Sequence, residues 1–81
     1  MASKFVRVRI LPSALRHGIA EDDVLHAYRN ATSSWPLHDG RDMLVGPRHD
    51  AQMCEIGVRY DADEDVDLIF HAMKARSRFL R

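Results

Sequence analysis

Two histidines and a run of cations stand where this chain could carry out acid–base chemistry. His17 closes a short predicted helical turn. His71 lies near the end of the last predicted strand, and Lys74, Arg76 and Arg78 follow it closely. Cleaving RNA without a metal requires a base for the 2′-OH proton, cations for the charge that grows on the phosphorane, and an acid for the leaving 5′-oxygen. One or two imidazoles near neutral pKa suit the proton transfers, and guanidiniums suit the phosphate. The same residues also admit a structural role, with His71 as a satisfied strand-end histidine and His17 as a cation favoured at a helix C-terminus.

Other chemistries find less support. The five histidines, His17, His26, His38, His49 and His71, include no pair at the i, i+4 spacing of a zinc helix, and there is a single cysteine, so no metal centre is expected. No Gly-rich phosphate loop or nucleophile elbow occurs, and no cofactor is expected. Cys54 reads as a small buried hydrophobe on a strand. A lone cysteine cannot form an intramolecular disulfide, which fits a reducing, cytoplasmic setting.

The elements that must position these residues follow from periodicity. From Lys4 to Leu11, Val6, Val8 and Ile10 alternate with Arg7 and Arg9, a strand with one wet face. Pro12 opens a helical turn over 13–17 that Gly18 stops in a left-handed conformation. Val24, Ala27, Tyr28 and Ala31 form one stripe of a helix over 21–31, with Glu21, Asp22 and Asp23 at its positive end and no good cap at Ala20. A hairpin follows around Asp39-Gly40, with Pro36 confining its own strand to an edge. Cys54, Ile56, Val58 and Tyr60 alternate with Glu55, Gly57 and Arg59 in the next strand. The acidic stretch 61–65 turns into a largely buried strand over 67–73, and 74–81 could form a short helix anchored by Phe79 and Leu80. The expected fold is α+β, a small antiparallel sheet of about four or five strands with short helices packed on it.

Eighty-one residues, 46% hydrophobic and 30% charged, predict one small globular domain spanning 1–81. So small a core leaves apolar surface for a partner or a homodimer. No apolar run approaches the roughly 18 residues of a membrane span, and Arg7 and Arg9 interrupt the first apolar stretch, which does not read as a signal peptide. Twelve Lys and Arg balance twelve Asp and Glu, which argues against binding nucleic acid by bulk charge. The charges are segregated, however. Residues 1–20 and 74–81 hold four basic residues each and no acid, while acids gather at 21–23 and 61–67, so a local basic patch is expected on a dipolar surface.

Arg16-His17-Gly18-Ile19, followed by an acidic helix start and Ala27, resembles the opening of BrnT-type toxins. Leu44-Val45-Gly46, the strand from Cys54 to Tyr60, and the segment from Ile69 to Arg76 resemble that family's closing hairpin and last strand. The likeness covers residues 14–81. It implies a RelE-like fold and a bacterial, cytoplasmic endoribonuclease that cuts RNA and is held inactive by a cognate antitoxin. By the resemblance, His71, His17 and Arg76 would be catalytic, and Lys74, Arg78 and Arg16 would bind RNA. The competing reading is a non-catalytic interaction module, a homodimer or half of a heterocomplex, using the strand edge at Trp35 and the basic tail.

Overall fold

The computed structural model describes residues 7–80. The start of the first predicted strand, Lys4 to Val6, and the terminal Arg81 lie outside them. The alternating Val8 and Ile10 form β1 (Arg7–Ile10), and Pro12 opens a 3-10 turn (Pro12–Leu15). Gly18, at φ 81°, turns the chain into α1 (Glu21–Arg29). Four strands follow: β2 (Ser33–Pro36), β3 (Arg41–Pro47), β4 (Met53–Asp61) and β5 (Val66–Lys74). The chain then makes a second 3-10 turn (Ser77–Phe79).

The strands form one five-stranded sheet in the order β1-β5-β4-β3-β2. β2 to β5 make an antiparallel meander. Asp39 and Gly40, both at positive φ, form the β2–β3 turn, and Pro36 sits on the edge strand, where its missing N–H breaks no interior ladder. One expectation is corrected here: the sheet is mixed, because β1 pairs with β5 in parallel. A tight turn forces antiparallel neighbours, but β1 is separated from the meander by the 3-10 turn and α1, a connection long enough to permit parallel pairing.

The main core cluster lies on one face of the sheet. Ile19, Val24, Ala27 and Tyr28 pack onto Cys54, Ile56, Val58, Ile69 and Ala72. Ala31, expected on the helix stripe, is exposed beyond the helix end. There Asn30 caps the last turn by donating its Nδ2–H to the His26 carbonyl. The predicted helix at 74–81 is likewise shorter, since β5 runs on through Lys74 and Leu80 is 51% exposed. No helix of the described residues is long and apolar enough to cross a membrane.

α1 approaches β3 at Gly46, where an added Cβ would lie 2.0 Å from the Ala27 carbonyl oxygen. Helix backbone cannot swing aside as a flexible side chain can. Gly46→Ala is therefore expected to cost about 3 kcal/mol, read as a lowered urea midpoint. An unchanged midpoint would show that the helix does not seat on this glycine.

Among the described residues no α-helix lies on the other face, although Met43, Val45, Val66 and Leu68, which the register places there, are buried. Gly57 pairs with His71 but Val58 pairs with Ile69, leaving Phe70 as an extra residue in β5. This bulge breaks the alternation, so Ile69 and Ala72 both reach the core while Phe70 and His71 turn to the helix-free face.

Candidate active site

Glu55 is the pivot of the helix-free face. It stands on β4 between the buried Cys54 and Ile56, its own side chain wholly removed from solvent. A carboxylate so placed must be matched by donors. His71, diagonal to it across the β4–β5 ladder, donates from Nε2 to Oε2 at 2.8 Å. Beyond β5 the Ala75 N–H bonds the Met53 carbonyl, and the chain folds Arg76 back over the strand. Arg76 donates its backbone N–H to Oε1 at 3.0 Å, its Nε to the same oxygen at 3.0 Å, and its Nη2 to Oε2 at 2.7 Å. The guanidinium thus grips the carboxylate as a fork.

His17 arrives from the opposite end of the sequence. The Leu11 N–H bonds the Ile69 carbonyl, and Ser13 Oγ donates to the Phe70 carbonyl at 2.7 Å. These bonds fasten the first 3-10 turn along β5 where β1 has ended. His17, two residues past that turn, meets His71 edge to face, with ring centroids 5.7 Å apart and planes at 76°.

The structure therefore brings together three of the residues singled out in the sequence, His17, His71 and Arg76. Arg78 is nearby: its guanidinium lies 5.0 Å from the Phe79 ring centroid, and that of Arg76 lies 5.7 Å from it. Arg16 is exposed beside His17. Lys74 is not brought in, because it follows Ala72 in phase on the helix side of β5 while His71 points to the other face. Among the described residues, no group of three or more His, Cys, Asp or Glu is placed to hold a metal ion.

Sequence pattern alone does not single out Glu55. Its alternation with Cys54 and Ile56 marks it as facing water, and nothing local shows that His71 and Arg76 close over it. The one signal in the sequence is that it is the sole acid between Asp50 and Asp61.

The carboxylate orders the chemistry around it. An ionised carboxylate only accepts, so the His71 nitrogen facing it carries a proton, and in neutral imidazole the other nitrogen, Nδ1, is the free base. Burial by itself would push the Glu55 carboxyl up. The hydrogen bonds from the Arg76 side chain and backbone and from His71, with the Arg76 charge, outweigh burial and hold it below the usual glutamate range. Glu55 in turn raises the Arg76 guanidinium. A carboxyl lowered by folding contributes stability that is complete above its unfolded value, about 4.3, and is lost as pH falls through the lower folded value. Wild-type stability should therefore fall below about pH 4.3 more steeply than that of Glu55→Gln. Urea unfolding between pH 3 and 6 would measure this, and parallel curves would remove the ionised carboxylate from the account.

Fold and site together define a small α+β protein with α1 on one sheet face and, on the opposite face, paired imidazoles and guanidiniums around a buried carboxylate. No family model, no curated protein and no solved structure matches the chain.

Proposed function

We propose that this chain is a metal-independent endoribonuclease, the RelE-like, BrnT-type toxin of a bacterial toxin–antitoxin pair. The observation that carries the reading is the His17–His71 pair at 5.7 Å, with His71 backed by buried Glu55 and Arg76 alongside. His71 Nδ1 takes the 2′-OH proton, and the 2′-oxygen attacks phosphorus. The bond to the 5′-oxygen breaks, and protonated His17 supplies the proton the leaving oxygen needs. The products are a 2′,3′-cyclic phosphate and a 5′-OH end, and no redox partner or metal enters. Arg76 and Arg78 stabilise the charge on the phosphorane. Glu55 holds His71 in the tautomer that exposes Nδ1, which makes it a positioning residue.

The antitoxin partner comes from the sequence likeness alone. An antitoxin would cover the helix-free face and with it the exposed His17. The test is incubation of purified chain with labelled cytoplasmic RNA in chelator, both free and on ribosomes. The expected result is fragments ending in cyclic phosphate. Intact RNA in both settings would end the ribonuclease reading.

A further inference from the structure

Beside the imidazole pair the helix-free face carries a second arrangement. Phe70, freed by the bulge, lies across Gly57, where an added Cβ would stand 2.8 Å from its Cζ. Arg41 of β3 sets its guanidinium over the Phe70 ring, 5.5 Å from the centroid. The guanidinium is itself oriented. Its Nε donates to the His38 carbonyl at 3.3 Å, and its Nη2 stands 3.8 Å from Asp39, yet the side chain remains 41% exposed. The ladder also pairs Arg41 with Arg59, Arg59 with Leu68 and Leu68 with Arg9, so three arginines share one cross-strand row. That row lies two residues along β4 from Gly57, the partner of His71, a separation of about 7 Å.

Resting on the ribonuclease reading, we propose that the Arg41–Phe70 stack and Arg59 form a subsite for the nucleotide next to the scissile phosphate. A base stacks on the exposed guanidinium plane, and the adjoining phosphate meets Arg59. A base can stack in this way only when it is unpaired, since in an A-form duplex its faces are occupied by its neighbours. The substrate is therefore single-stranded RNA. A stacking platform without edge readout tolerates any base, so cleavage falls in unpaired segments with weak base preference.

The test is binding of a fluorescent, unstructured 2′-O-methyl oligonucleotide, which lacks the 2′-OH needed for cleavage, followed by anisotropy. Arg41→Ala should weaken binding roughly 5- to 150-fold, the range for loss of one stacked base. Phe70→Leu should weaken it in the same direction, with thermal melts confirming that both variants fold. Arg29→Ala, on the exposed side of α1, should bind as wild type, and an equal-length duplex should bind more weakly than the single strand. The subsite is overturned if wild type does not bind, if Arg41→Ala binds normally, if Arg29→Ala loses as much, or if the duplex binds as well. Arg41-dependent binding without RNA cleavage would leave the subsite standing and remove the nuclease. Cleavage with normal binding by Arg41→Ala would do the reverse.

Discussion

Replacing His17 with alanine is expected to slow RNA cleavage by about 10²- to 10⁴-fold, the usual contribution of a positioned general acid or base, while leaving the thermal midpoint near that of wild type. The separation of the two effects follows from its setting. His17 is exposed, and its ring meets the protein at the edge of His71, so its removal opens no cavity and strands no buried group. His71→Asn should slow cleavage comparably but also cost stability, because His71 donates to a carboxylate that has no water to turn to. Single-turnover rates with a labelled RNA, beside melts of each variant, would separate the roles. If His17→Ala cleaves at the wild-type rate while its fold is intact, the two-imidazole mechanism is wrong, and the 5.7 Å contact is merely structural.

A stability effect of similar size to that at Gly46 is expected at Arg76. Its side chain is 46% exposed, so a surface reading would treat it as dispensable, yet its partner Glu55 is completely buried. Removing one member of a buried ion pair commonly costs about 3–5 kcal/mol because the other charge is left without compensation. Solvent already screens much of the guanidinium, and the Arg76 backbone N–H would persist in the variant, so Arg76→Ala should cost about 2–3 kcal/mol. The instructive comparison is the double variant. A neutral Gln at position 55 no longer needs a counter-charge and still finds the backbone N–H, so Arg76→Ala with Glu55→Gln should be more stable than Arg76→Ala alone. Chemical denaturation of the four proteins closes the cycle. Additive losses would mean that the carboxylate does not depend on Arg76.

These effects meet at one point on the sheet, and the sequence shows only part of why. The strands are legible because apolar and polar residues alternate locally, as Val8 and Ile10 do with Arg7 and Arg9. The β2–β3 turn is legible because Asp39-Gly40 can take positive φ at little cost. The α+β class follows from that pattern, whereas His17, His71 and Arg76 stand out only by residue type, which suits phosphate chemistry wherever they stand.

What the pattern does not carry is the pairing. β1 lies parallel to β5 because of a long connection whose direction no local residue encodes. The bulge at Phe70 inverts the phase of β5, so that a strand read as buried throughout presents His71 to Glu55. Glu55, which alternation assigns to water, is buried by groups sixteen and twenty-one residues away. Local sequence sets periodicity and turn preference, because both depend on neighbouring backbone dihedrals. Register, bulges and the partners of a buried charge are settled only when distant strands compete for the same hydrogen bonds, and that competition takes place in the tertiary structure.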